Sequence, residues 1–459
     1  MLNQCSAKRR RRLTSAPYGE AVGSLTTGTG HRTPTRLRLW TASILALAAA
    51  ALVAGTVAVA DTQHGVNRVG RQTAPQAQAA SDLYFALSDL DSQTARRILT
   101  IGDDDLSTAE GDAQATADAR VTEIDADLRQ AISGTTDPGT QSRLQSMLDK
   151  VALYHDLSAT ALSQDELSQV AAKGRPDPVA LAYYSRATDV MHFDLLPVAA
   201  QIRDAYAAEL RSSAENENSA WAVDTALVLV TTLALLAALL GFQVVLSRRF
   251  RRALNPFLAV ATVATAVFLV TGMTMTAQQT DRLQHAVDDH MTPYLGIQHA
   301  RAVTYDAVGA MDRYTVAPDF GYDHGYAADL TALNGTGGAP GLLHTARTAA
   351  DQGLSARIGA DWTAVQADAR KIKSEVDNGD VDAALTEATG IAGGQLGQDF
   401  YALDTHLGQA ADAQRGAFAA ALGDAQSGAS GWAAVPGAVF GAVLVLTLAG
   451  VWRRLAEYR

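Results

Sequence analysis

The sequence predicts an all-α integral membrane protein with four transmembrane helices and two extracytoplasmic helical bundles, arranged as an internal duplication. Three observations lead there. Four uncharged apolar runs, 39–60, 225–246, 256–277 and 432–451, are each close to the ~20 residues an α-helix needs to cross roughly 30 Å of hydrocarbon. The long blocks between them, 61–224 and 278–431, are acidic and carry apolar residues at helical spacing. The remaining pieces, a tail 1–38, a connector 247–255 and a tail 452–459, are short and basic.

The charges set the orientation. Lys8, Arg9, Arg10, Arg11, Arg12, Arg32, Arg36 and Arg38 precede the first run, Arg248, Arg249, Arg251 and Arg252 fill the connector, and Arg453, Arg454 and Arg459 follow the last run. Only Glu20 and Glu457 oppose them, so the formal charge of −11 comes from the two large blocks. Basic loops stay cytoplasmic, which places both termini inside and both blocks outside the plasma membrane. Ala58-Val59-Ala60 has the small-x-small form of a signal-peptidase site, but the run before it exceeds the usual ~7–15-residue signal core, and a membrane anchor is the better reading. The 1–38 tail is expected to be disordered. The lone Cys5 lies in that tail, so the outer blocks hold together by packing without disulfides.

In the first block, Leu83, Leu87, Leu90, Thr94 and Ile98 form a three-four stripe, and Leu144, Leu148, Val151, Tyr154 and Leu157 form another. In the second, Ile358, Trp362, Val365, Ala369, Ile372 and Val376 repeat the pattern. Asp137-Pro138 and Asp177-Pro178 put an N-cap acceptor before a proline that the first turn tolerates. Ser107 with Glu110 reads as a capping box. Breaks rich in Gly, Pro, Asn or Asp fall at 134–139, 173–177, 317–325, 334–341 and 377–380. Each block is therefore an antiparallel bundle of about four helices. No such break interrupts 60–73, 198–218 or 278–292, so the spans are expected to continue upward as bundle helices. Pro75 and Pro293 fall at matching distances beyond the first and third runs, which supports the duplication.

Catalytic and cofactor signatures are missing: no phosphate-cradling glycine loop, nucleophile elbow or zinc helix occurs, and neither enzyme activity nor a cofactor is expected. His285, Asp288, Asp289 and His290 match no metal spacing and read as a solvated helix face. Asp103-Asp104-Asp105 lacks the glycine and glutamate of a calcium loop and reads as an acidic turn. The segment 319–326 reads as a surface loop. Arg96-Arg97, and Tyr183-Tyr184 with Arg186, are the best anion-binding candidates, with balance by neighbouring Asp as the preferred reading. The spans carry no ionisable residue in their cores, which disfavours a channel or pump. Gly437 and Gly441 form G-x-x-x-G and are candidates for close helix packing, within the chain or between copies in a homo-oligomer.

Two functions remain. One is a sensor-transducer whose outer blocks read a signal and whose inner face passes it on; the other is a structural or transport-accessory subunit that scaffolds an envelope complex. The tandem bundles between spans resemble chemoreceptor-type four-helix sensor domains without a cytoplasmic signalling hairpin. From about Arg36 to Arg454 the arrangement of Ala-rich spans, basic inner loops and helical outer blocks resembles the GlnX-like four-span transducers of actinobacteria. That resemblance implies an amino-acid-loaded solute-binding lipoprotein as the outer partner and a soluble Ser/Thr protein kinase as the inner one, with no nucleic-acid partner. On that reading Arg248, Arg249, Arg251 and Arg252 are the candidate contacts for an effector, and for anionic lipid in either case.

Overall fold

A computed structural model describes residues 32–101, 104–135, 137–168, 174–250, 256–390 and 393–455. The first half holds α1 (Arg32–Arg68), α2 (Ala74–Thr100), α3 (Ser107–Gly134), α4 (Pro138–Leu167), α5 (Pro178–Asp189) and α6 (Leu196–Phe250). The second holds α7 (Pro256–His285), α8 (Thr292–Val316), α9 (Tyr322–Asn334), α10 (Leu342–Ala349), α11 (Gln352–Asp377), α12 (Val381–Thr389), α13 (Leu396–Gly431) and α14 (Val435–Leu455). No strand occurs among the described residues.

Four helices are long and apolar enough to cross a membrane, and they match the four apolar runs, the fourth beginning at Val435 because 432–434 form a turn. They close a ring in which α1 packs on α6 and α14, and α7 packs on the same two. Ile44, Leu235, Leu239, Phe242, Phe268 and Phe440 fill its centre. The Gln243 amide ties α6 to α7, donating to the Leu258 carbonyl at 2.9 Å and the Thr262 hydroxyl at 2.7 Å.

Three of the spans continue into the large domain without a break. Arg38–Thr100 is one helical path of 63 residues, about 95 Å at 1.5 Å per residue. Pro256–Val316 is a second, and α6 a third, of 55 residues. Only α13 and α14 are separated, by a short turn at Trp432. Each continuous path contains one π turn, at Val69–Thr73, Val190–Leu195 and Ala286–Met291, and each turn leads directly to Pro75, Pro197 or Pro293. Proline has no N–H for the helix ladder and crowds the carbonyl four residues back; widening the turn by one residue relieves both without ending the helix. The prolines therefore mark a local widening and not a boundary.

The predicted stripes face inward: Leu83, Leu87, Leu144, Tyr154, Ile358 and Ile372 are all buried. Asp137 and Asp177 cap α4 and α5 as expected, accepting from the Thr140 N–H at 2.7 Å and the Val179 N–H at 2.8 Å. The Ser107 capping box is a correction. A 3-10 turn, Asp104–Leu106, leads into α3, so Ser107 is the first helical residue and not the residue before it. Segment 319–326 is also more ordered than a loop, with a 3-10 turn Pro318–Phe320 followed by the start of α9.

The first half forms its bundle from α2, α3, α4 and the α5–α6 path, and the second builds one around α8, α11 and α13. The two do not stand apart. They share one hydrophobic core, and α2 lies along α8 at its centre. These helices run in parallel. Asp82 with Gln298, and Arg96 with Asp312, are each 216 residues apart in the chain. At Gly309 the backbones come so close that an added Cβ would lie 3.2 Å from the Ser92 Cα. The π turns at Val69 and Ala286 stand at a similar separation. The helices that follow the first and third spans thus lie side by side along a seam at a constant chain offset, an arrangement compatible with the expected duplication.

Candidate functional site

Membrane-continuous helices meet in the seam at a buried charged cluster. From α2 comes Asp91, from the π turn ahead of α6 comes His192, and from α8 come Asp306 and Arg313. The α2 stripe turns Asp91 inward, where 1% of it is exposed. Its Oδ2 accepts from Arg313 Nη1 at 2.5 Å and lies 2.9 Å from His192 Nε2, while Oδ1 accepts from the Tyr154 hydroxyl at 3.2 Å. Asp306 Oδ1 stands 3.4 Å from Arg313 Nη2 and 3.6 Å from His192. Tyr322, at the start of α9, places its ring 5.7 Å from the guanidinium carbon.

Burial alone would raise the Asp91 carboxyl, but Arg313 and His192 hold it down at about 2. Burial likewise opposes a charged His192; the Asp91 hydrogen bond and the two neighbouring carboxylates outweigh it and raise the imidazole above its ordinary value. Asp329 of α9 moves the other way, pushed up to about 8 by burial and by Asp306. Burial raises the phenols of Tyr154 and Tyr184 too, so both stay neutral. Asp91 and Arg313 thus form a buried ion pair, and His192 is biased toward its charged form beside them.

By residue type and spacing, Asp91, His192 and Asp306 could hold a metal, since their ligand atoms lie within 4.8 Å of one another. The Arg313 N–H groups already point at two of the three. A guanidinium and a protonated imidazole fill the place of a cation, and the arrangement suits proton-linked ion pairing better than metal binding.

These shifts make stability pH-dependent. Groups raised by folding, His192 and Asp329, contribute stability that is present at low pH and lost as pH rises through their folded values; Asp91, lowered, loses its share only as pH falls toward 2. Thermal unfolding of the full chain in detergent is expected to show a loss on the order of 2 kcal/mol between pH 6 and 9. Asp329→Asn should flatten that slope.

Further pairings line the same seam. Phe85 of α2 lies between the guanidinium groups of Arg120, 4.8 Å from its centroid, and Arg301, 4.2 Å away. Arg120 pairs with buried Asp89 at 2.5 Å, and Arg301 reaches Asp404 of α13 at 2.9 Å. Nearer the membrane, Asp82 accepts from Tyr294 and Gln298, both at 2.7 Å. The seam therefore engages α13 as well as the three continuous helices.

Residues 65–215 match the family model of an actinobacterial sensor domain. The match runs from the end of α1 into α6, so the matched residues include Asp91, Tyr154, Tyr184 and His192. Asp306, Arg313 and Asp329 come from the second half, beyond the matched residues. No curated protein and no solved structure matches the chain.

The residues singled out in the sequence fall in other places. Arg248 is exposed at the end of α6 and Arg249 is in its last turn, while Arg251, Arg252 and Cys5 lie outside the described residues. Gly437 and Gly441 do not pack against another span of this chain: a Cβ on either would meet nothing within 4 Å. The close approaches occur instead at Gly55, whose added Cβ would lie 3.1 Å from Pro436, and at Gly241, 3.3 Å from the Trp40 ring. Arg96 is balanced as expected, but by Asp312 of the other half at 3.4 Å, and Arg186 by Asp189 at 3.8 Å. His285 pairs with Asp289 in solvent at 2.9 Å while His290 turns to Gln414, so these residues do not converge. Sequence reasoning missed Asp91, His192, Asp306 and Arg313. Their one local signal was a charge set within an apolar stripe, as at Asp91 beside Leu87, Leu90 and Thr94.

Proposed function

We propose that the chain is a non-enzymatic transmembrane sensor-transducer. The observation that carries this reading is the convergence of three helices, each unbroken into the membrane, on one buried ionic cluster partly supplied by the sensor domain. A packed seam of this kind has few alternative arrangements, so a signal that repacks it shifts whole helices by a small rotation or piston. The finer proposal is that an amino-acid-loaded solute-binding lipoprotein engages the domain outside the cell. A separate cytoplasmic effector such as a Ser/Thr protein kinase then reads the helix ends around Arg248–Arg252.

Affinity capture from an envelope fraction with the full chain in nanodiscs tests the outer partner. Recovery of a loaded solute-binding lipoprotein supports the proposal; recovery of secretion or cell-wall machinery favours an envelope scaffold. For the inner face, replacing Arg248, Arg249, Arg251 and Arg252 by Lys keeps the charge that sets topology but removes bidentate contacts. Effector binding is expected to weaken by about tenfold. Unchanged binding would remove the connector as the docking surface.

A further inference from the structure

Where the four spans enter the large domain, they line a half-open cavity of about 70 Å³. Leu229, Phe268, Leu269 and Trp432 give it apolar walls, and Gly55 and Gly272 also line it. A Cβ at Gly272 would make ordinary van der Waals contact with the Phe268 ring at 3.8 Å, so a small side chain fits there and a large one would intrude on the cavity.

One polar side chain on the wall has no partner. Gln279 is 2% exposed, and neither its amide nitrogen nor its amide oxygen makes a hydrogen bond. A buried amide left in this state is costly unless something completes it. One turn further along α7, exposed Arg282 reaches the same place. A Cβ built on Gly428 would lie 2.0 Å from Gln279 Nε2 and 3.3 Å from Arg282 Nη1, so both nitrogens meet over one bare stretch of α13 backbone. An unsatisfied donor, a cation beside it and an apolar chamber together describe the two ends of an amphiphile.

We propose that this cavity binds an acidic amphiphile, with its carboxylate or phosphate at Gln279 and Arg282 and its alkyl chain entering between Leu229, Phe268 and Leu269. Charge-assisted bonds from Arg282 and the amide N–H satisfy the head, and the chain displaces no well-held water from the apolar part. Its volume is less than half the ~150 Å³ of an engineered cavity that takes a whole benzene ring. It therefore holds only a narrow chain segment, with the remainder lying in the bilayer. The head chemistry is shared by free fatty acids and acidic phospholipids.

The test uses the full chain in nanodiscs and three probes with a diazirine in the acyl chain: a fatty acid, a phosphatidylglycerol and an uncharged monoacylglycerol. Photolabelling is expected within 225–229 and 268–279 by one or both acidic probes, and much less by the uncharged one. Preference for the fatty acid names a free acid as the occupant; preference for phosphatidylglycerol names a membrane lipid. Arg282→Gln, at an exposed position, should keep the unfolding midpoint and weaken labelling roughly five- to tenfold, the loss of one charge-assisted bond. Gly272→Leu should fill the chamber and abolish labelling there. Equal labelling by all three probes, or labelling untouched by Arg282→Gln, would overturn the proposal.

Discussion

Arg313→Met is expected to destabilise the large domain by about 3–5 kcal/mol, the usual cost of removing one partner from a buried ion pair. The Arg313 side chain is 2% exposed, and the variant leaves Asp91, equally buried, and Asp306 with only His192 between them. Two carboxylates sharing one imidazolium must then take up a proton or draw in water, and either loosens the contact between α2 and α8. Thermal unfolding of the full chain in detergent should show a midpoint lower by about 10 °C. Adding Asp91→Asn should restore part of the loss, because the repulsion goes with the charge while the amide can still accept from Tyr154. If the single variant unfolds within about 2 °C of the parent, the cluster does not hold the halves together.

The second large effect is on the relay. Ser212 lies exposed in α6, between the His192 cluster and the second span, with Ser213 beside it. Replacing both with glycine leaves the seam untouched and costs helix stability of only about 1 kcal/mol. Yet it places a flexible pair in the helix that, under the proposed function, carries rotation or displacement over many turns. The expected outcome is an unfolding midpoint close to that of the parent, with the response of the Arg248 end of α6 to any change at the cluster reduced to background. The same substitutions would leave an envelope scaffold fully functional, so the variant separates the two readings of this chain.

Much of this architecture is written locally. The spans follow from runs without charge, the caps at Asp137 and Asp177 from one residue type before a proline, and the inward stripes of α2, α4 and α11 from spacing alone. What could not be read was every feature formed between residues about 216 apart. Arg96 and Asp312 each have acidic or basic neighbours in sequence, and nothing local chooses between those and a partner in the other half. Asp91 illustrates the same limit: a carboxylate on a helix is usually solvated, and only the arrival of Arg313 and His192 makes its burial tolerable. Pro75 and Pro293 were visible as a matched pair, but the π turns that absorb them were not. The spacing at Gly437 and Gly441 reports only permission for close packing; within this chain the packing surface of α14 lies on Pro436 and Phe440 instead.

Under the proposed function, the state of the seam is felt at the far ends of the spans. Pulsed EPR on the full chain in nanodiscs measures this directly, with nitroxides at Arg248 and Trp452 and Cys5→Ser to remove the native thiol. Both labelled positions are exposed, on helices that lie across the ring from each other. Asp91→Asn is expected to shift the distance distribution by roughly 1–2 Å, and Ser212→Gly with Ser213→Gly to remove the shift. Superimposable distributions for the parent and Asp91→Asn would contradict the proposed function.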